Sequence, residues 1–170
     1  MTDPPARTLV IGLGNPLMGD DGVGLAALER LRDGWDVSPD VELVDGGTWG
    51  MNLLPLIESA DQLLLLDAIR SGSTPGTVTE LVGDAVPRGL DHKLSPHQID
   101  LREVLALAML RDTLPRQLAA IGIEPACVTM STTLSAPVEA AIPLMLARTA
   151  AWLETRGHRC ARLAPLACTS

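Results

Sequence analysis

The chain has 170 residues, which is enough for one compact domain with its own hydrophobic core. Apolar residues make up 46% of it but aromatic residues only 2%, so aliphatic side chains must fill that core. The net charge is -8 and the basic residues are spread along the chain. We therefore expect neither nucleic acid nor an anionic membrane as a partner.

The chain offers no span or export signal, and its cysteines form no motif. The longest apolar runs fall far short of the roughly 20 residues that a membrane helix needs, and residues 1–7 lack the apolar stretch of a secretory signal. Cys127, Cys160 and Cys168 are odd in number and widely spaced, which fits neither a disulfide framework nor a thiolate zinc site. We expect a cytoplasmic protein with free thiols.

The first third of the chain predicts two strands, each followed by a helix. Thr8–Ile11 is a continuous apolar run, typical of a strand buried on both faces. After a glycine-rich loop, apolar residues at helical spacing predict a helix from Val23 to Gly34. Val41–Val44 is the second predicted strand, stopped by the Asp-Gly-Gly that follows, and Met51–Ser59 is the second predicted helix.

Two more strands follow. Gln62–Leu66 is predicted as a buried strand that ends at Asp67. Gly76–Val82 alternates apolar and polar residues, which is typical of a half-exposed strand near a sheet edge.

The remainder predicts a helix, a strand and a helix. Pro96–Leu110 has an amphipathic helical pattern, and Gln117–Ile123 is a further strand. Ala136–Arg156 is predicted as a long helix in which Pro143 introduces a kink or a restart. Residues 157–170 carry no pattern and are expected to be a disordered tail.

Strands that alternate with helices predict the fold class. We expect an α/β single-domain three-layer sandwich over residues 1–170, with a mostly parallel twisted sheet of about five strands and helices on both faces. In such open sheets, ligands bind outside the carboxyl ends of the strands, near the point where the strand order reverses. The loops that follow the strands are therefore the places to look for chemistry.

The loop Gly12–Gly24 fails both nucleotide motifs. Leu17 stands where a dinucleotide fingerprint needs glycine, and the loop ends in Asp20 and Asp21, where a P-loop has Gly-Lys-Ser/Thr. An Asp here could cap the next helix, but capping accounts for one carboxylate more easily than for two. Capping alone and capping combined with a ligand role both stay open.

Two further carboxylates follow predicted strands. Asp67 should lie beside a dry core, where a carboxylate needs hydrogen bonds, a cation or a raised pKa. It is either a loop anchor or a functional group. Asp45 begins the segment Asp45, Gly46, Gly47 and Thr48, which indicates first a turn and second a backbone surface that binds an extended peptide.

His97 is the histidine with the most specific setting. Ser95 and Gln98 have capping-box spacing, and Pro96 occupies the favoured first helical position. The positive end of the helix disfavours imidazolium, so the ring should stay neutral and able to bind a metal. A hydrogen-bonded surface histidine is the alternative interpretation.

These groups suggest a site but do not identify its metal. Two carboxylates and one imidazole suit nickel, zinc, iron or manganese. The chain has no His-Glu-x-x-His motif, no Gly-x-Ser-x-Gly motif and no recognisable Cys–His frame, so triad chemistry is unsupported.

Blocks of these residues, in this order and spacing, resemble the nickel-iron hydrogenase maturation endopeptidases. The blocks are Gly12–Gly24, Asp45–Thr48, Leu66–Ile69 and Ser95–Gln98. The resemblance extends to about Glu154. Family members often have Glu where Asp21 stands, which keeps a carboxylate but shifts the position of a bound metal.

The resemblance implies a sheet covered by helices and an enzyme that removes a C-terminal extension from the hydrogenase large-subunit precursor after nickel insertion. It implies that Asp21, Asp67 and His97 contact nickel and are the candidate catalytic residues, and that the substrate, not the enzyme, supplies the nickel. The partner would be the nickel-loaded precursor, bound in part by Asp45, Gly46, Gly47 and Thr48. We expect a monomer.

Two other functions stay open at this point. One is a nickel-sensing chaperone or binding module that inspects the precursor without cutting it. The other is a small-molecule metallohydrolase that holds its own catalytic metal. Mass spectrometry of the precursor and metal analysis of the purified protein distinguish them.

Overall fold

A computed structural model describes residues 6–90 and 101–164 of the chain. Within them, the strands in chain order are β1 Thr8–Leu13, β2 Trp35–Val37, β3 Val41–Gly47, β4 Gln62–Ala68, β5 Val78–Val82, β6 Gln117–Ile123 and β7 Cys160–Arg162. Five of them form the central sheet in the order β3-β1-β4-β6-β5. The first four are parallel, and β5 runs antiparallel to β6 at one edge.

Helices cover both faces of this sheet. They are α1 Val23–Gly34, α2 Leu54–Glu58, α3 Ala85–Gly89, α4 Leu101–Leu110 and α5 Ala136–Glu154, with short 3-10 turns at Gly19–Gly22 and Gly50–Leu53. Helices α1 and α5 contact each other and the sheet on one face, whereas α2 and α3 both contact α4 on the other. Among the described residues, no helix combines the length and the apolarity that crossing a membrane requires.

The strand sequences explain the three layers. Successive side chains of a strand point to opposite faces, so a strand covered on both sides must be apolar throughout. In β4, Leu64 and Leu66 join the core cluster of α1 and α5, while Leu63 and Leu65 join the cluster of α2 and α4. The predicted three-layer α/β fold and its mostly parallel sheet are confirmed.

Two predicted strand ends were too early. β3 continues through the predicted stop to Gly47, because it stays paired with β1 as far as Leu13. β4 continues to Ala68, so Asp67 lies inside the strand, opposite Gly122 of β6. Pairing with a parallel neighbour extends both strands beyond the point where their apolar pattern ends.

The helix predictions differ from the structure in detail. The predicted helix Met51–Ser59 is a 3-10 turn followed by the short α2. α5 is continuous across Pro143, which is exposed, so water can satisfy the carbonyl that the proline leaves without a helical hydrogen bond. Of the predicted helix Pro96–Leu110, the part before Leu101 lies outside the described residues.

The prediction of a disordered tail is wrong for residues 158–164. β7 pairs antiparallel with β2, a short strand that the sequence pattern did not predict. His158 is buried, and its Nε2 lies 2.9 Å from the Thr8 hydroxyl at the start of β1. These long-range contacts order a segment whose own sequence has no periodic pattern. Residues 165–170 lie outside the described residues.

Candidate active site

The strand order reverses between β1 and β4. From β1 the chain crosses to β3 on one side and then returns past β1 to β4 on the other side. The loops that leave the carboxyl ends of β1 and β4 therefore separate, which creates the crevice where open α/β sheets bind their ligands. Gly12 pairs with Leu66 at this edge, and Asp67 is the next residue of β4.

A glycine contact brings the start of α1 against these two strand ends. A Cβ built on Gly24 would meet the carbonyl oxygen of Leu66 and would lie 2.5 Å from that of Leu13. Gly24 therefore lets the helix pack directly on the main chain of β1 and β4. As a consequence, the Gly19–Gly22 turn that precedes α1 contacts β4.

Asp21 lies in that turn and is half-buried. Its Oδ2 accepts a hydrogen bond of 2.8 Å from the main-chain amide of Asn15. Gly14 has a φ of +115°, and a Cβ on it would collide with the carbonyl oxygen of Asp21. The loop thus folds back on itself, and its acid stands beside the crevice.

Asp67 is fully buried in β4. Its Oδ1 accepts a hydrogen bond of 2.8 Å from the amide of Ala68. Its position at the carboxyl end of an interior strand is the predicted one. Asp21 and Asp67 therefore belong to two segments in contact at the switch point, whereas His97 lies outside the described residues.

The prediction that Asp20 or Asp21 caps the next helix is wrong. Gly22 is the N-cap residue of α1, and no side chain caps that helix. Asp20 is 1% exposed and instead accepts hydrogen bonds from residues 126–135. Burial raises the pKa of Asp20, but the hydrogen bonds from Ser135, Cys127 and Ala126 outweigh it and lower the pKa overall.

The predicted substrate-binding segment forms the carboxyl end of β3. A register shift leaves Gly46 between the pairs Gly12–Asp45 and Leu13–Gly47, and a Cβ on Gly46 would lie 2.6 Å from the Ile11 side chain. The carbonyls of Gly46 and Gly47 already accept bonds from Trp49 and Gly14. The two glycines thus serve close packing, while Asp45 and Thr48 are exposed.

A groove of about 250 Å³ begins at this segment. Asp45 and Arg32 line it on one side, and Pro16 with Thr132 and Leu134 on the other. It runs along the outer surface of α1, next to the loop that holds Asp21. A peptide segment of a few residues has dimensions that suit such a groove.

Glu124 is a buried carboxylate that the sequence analysis missed. Burial raises its pKa, but the amide and hydroxyl of Ser71 and the amide of Ser73 donate to it and lower the pKa overall. It thereby orders the loop that follows β4. A lone Glu after a predicted strand offers little signal, since its partners lie more than 50 residues away.

The comparisons with known proteins agree with this geometry. The model of the family "Hydrogenase maturation protease" matches residues 25–152. The hydrogenase 2 maturation protease of Escherichia coli K12 is 36% identical over 152 residues, 89% of this chain and 93% of that protein. The solved structure of the E. coli hydrogenase maturating endopeptidase HybD superposes with a TM-score of 0.86 at 34% identity, covering 92% of this chain and 97% of that one.

Other relatives are longer than the region they share with this chain. The hydrogenase expression/formation protein HupD of Thiocapsa roseopersicina is 43% identical over 125 residues, which are 73% of this chain but 56% of that protein. The family match covers both the sheet and its helices. On this evidence the chain belongs to the hydrogenase maturation protease family.

Proposed function

We propose that this protein is an endopeptidase that removes the C-terminal extension of a nickel-iron hydrogenase large-subunit precursor once nickel has been inserted. Asp21, Asp67 and His97 recognise the nickel that the precursor carries. The observation that carries the proposal is that Asp21 and Asp67 lie on two contacting segments at the switch point of a sheet of this family. The cytoplasmic location and the monomeric state predicted above are parts of the same proposal.

Carboxylate and imidazole ligands leave coordination positions open on a nickel ion. The precursor's own ligands occupy the remaining positions, so enzyme and precursor share the metal. Cleavage adds water across one peptide bond: its hydroxyl joins the carbonyl carbon and its proton leaves with the amine. Docking at the nickel brings that bond beside Asp21 and Asp67, and such positioning lowers the barrier.

Exposed apolar side chains near the crevice favour a protein substrate over a small molecule. Leu17 is 60% exposed, Trp49 54% and Met130 89%. They lie on the loops that follow β1, β3 and β6, and the amide of Ser131 donates to the carbonyl of Leu17. Large apolar groups on the surface around a site are typical of a surface that docks another protein.

The test compares cleavage of nickel-loaded and nickel-free precursor, with the released extension detected by mass spectrometry. We expect cleavage of the loaded precursor alone. Asp21→Asn, Asp67→Asn and His97→Ala should each lower its rate by at least about 100-fold, because each loses a metal contact or its position. Asp33→Asn makes the same chemical change on an exposed residue near the end of α1 and should cleave normally. Equal cleavage of both precursors would refute the proposal.

A further inference from the structure

The carboxylate of Asp20 is bound entirely by a distant part of the chain. Its Oδ2 accepts bonds of 2.8 Å from the Ala126 amide, 2.9 Å from the Cys127 amide and 2.8 Å from the Ser135 hydroxyl, and its Oδ1 accepts one of 2.6 Å from the Ser135 amide. An ionised carboxylate has about four acceptor positions. Asp20 is therefore occupied by protein donors and is no candidate ligand for an incoming metal.

Main-chain bonds strengthen the same connection. The Asp20 amide donates to the Cys127 carbonyl at 3.2 Å, and the Gly19 amide donates to the Ser131 carbonyl at 2.7 Å. Bonds to a charged acceptor are about twice as strong as neutral ones. The turn Gly19–Gly22 is thus fastened to residues 127–135 by both its main chain and its buried acid.

Ser135 explains why this carboxylate stays charged. It is the N-cap residue of α5, yet its hydroxyl donates to Asp20 and does not cap its own helix. The negative charge of Asp20 therefore lies at the positive end of a 19-residue helix, where an anion is stabilised. The lowered pKa of Asp20 agrees with this arrangement.

We propose that Asp20 is the positioning residue of the active site: by binding Ala126, Cys127 and Ser135, it fixes the direction in which Asp21 presents its carboxylate. The inference rests on the proposed role of Asp21 in the reaction. It assigns the two adjacent acids different tasks, one bound by the protein and one facing the crevice. The Asn15 amide, which donates to Asp21 at 2.8 Å, reports on that placement.

The main test is Asp20→Asn. An asparagine keeps one acceptor oxygen but turns an NH₂ group toward amide donors, so the turn loses its attachment. We expect kcat on nickel-loaded precursor to fall about 10- to 100-fold, while KM changes less than about threefold because docking involves a wider surface. In NMR hydrogen exchange, the Asn15 amide should lose protection.

Two substitutions at Ser135 give a milder version of the test. Ser135→Ala removes one of the four bonds and should lower kcat about threefold, by the usual strength of one such bond. Ser135→Thr keeps a hydroxyl at an N-cap position that accepts threonine, so it should restore the wild-type kcat. This pair also decides the question if Asp20→Asn fails to fold.

His158→Ala is the matched control, because it removes a buried polar contact at the opposite edge of the sheet. It should lower the melting temperature but leave both kcat and the Asn15 amide unchanged. The inference is overturned if Asp20→Asn, or Ser135→Ala in its place, keeps both the wild-type kcat and the Asn15 protection. If Asp21→Asn itself cleaves normally while Asp20→Asn still exposes the Asn15 amide, the proposed function fails and the positioning by Asp20 stands.

Discussion

Gly24→Ala tests whether the close contact between α1 and the strand ends builds the site. The new Cβ would meet the Leu66 carbonyl oxygen and would lie 2.5 Å from the Leu13 oxygen and 2.8 Å from the Leu13 nitrogen. All three are main-chain atoms, so no side chain can rotate away. Overpacking costs typically about 1–3 kcal/mol, and we place this change at the upper end, near 3 kcal/mol.

The same helix supplies a control. Gly34, its last residue, has nothing within 4 Å of an added Cβ. Gly34→Ala should stabilise the protein by about 0.5–1 kcal/mol, because alanine loses less backbone entropy on folding. Thermal unfolding measures both variants. At about 2–4 °C per kcal/mol for a domain of this size, we expect Gly24→Ala to melt roughly 6–12 °C lower and Gly34→Ala slightly higher than wild type.

Activity separates a local effect from a general one. In Gly24→Ala the helix start must move away from β4 and carry the Gly19–Gly22 turn with it, so cleavage should fall even well below the melting temperature. If Gly24→Ala melts and cleaves like Gly34→Ala, the close contact has no role in either stability or the site.

Three further predictions concern buried acids, thiols and the core. Because the pKa values of Asp20 and Glu124 lie below their ordinary values of 3.8 and 4.5, the stability they contribute is complete above about pH 5 and is lost as the pH falls through the folded pKa values. Glu124→Gln should therefore be less stable than wild type at pH 7, with a gap in unfolding free energy that narrows toward pH 3. Burial, followed by Glu154 and Asp36, raises the pKa of Cys160 to about 11, so iodoacetamide at pH 7.5 should modify the exposed Cys127 and leave Cys160 intact in peptide mass spectra; rapid labelling of Cys160 would contradict its burial. Leu64→Ala, in the middle of β4, should lower the free energy of unfolding by about 2–5 kcal/mol in urea titrations, and a loss below 1 kcal/mol would mean that this core position is loosely packed.

The layers of the fold could be predicted because they depend on local patterns. The continuous apolar run of β4 indicates a strand covered on both faces, and Gln117–Ile123 was predicted with the bounds that β6 has in the structure. β2 and β7 could not be predicted, because they are three residues each and exist through pairing with each other. Local periodicity carries no information about such a pairing.

The site was predicted in part for the same reason. The position of Asp67 follows from the end of an apolar run, so its place at the carboxyl edge could be foreseen. The task of Asp20 could not, since its donors lie 106 to 115 residues further along the chain. The available signal was the second of two adjacent acids, which helix capping explained poorly.

The attachment of Asp20 also determines when the site can form during synthesis. Asp21 leaves the ribosome early, and β1, α1 and β4 can begin to fold before the second half of the chain exists. The donors of residues 126–135 emerge only after β6, so until then the buried acid of Asp20 lacks the hydrogen bonds that hold its turn. A nascent or truncated chain that ends before Ser135 therefore has its acids but not their fixed geometry, and the enzyme acquires its cutting site only near the completion of its own translation.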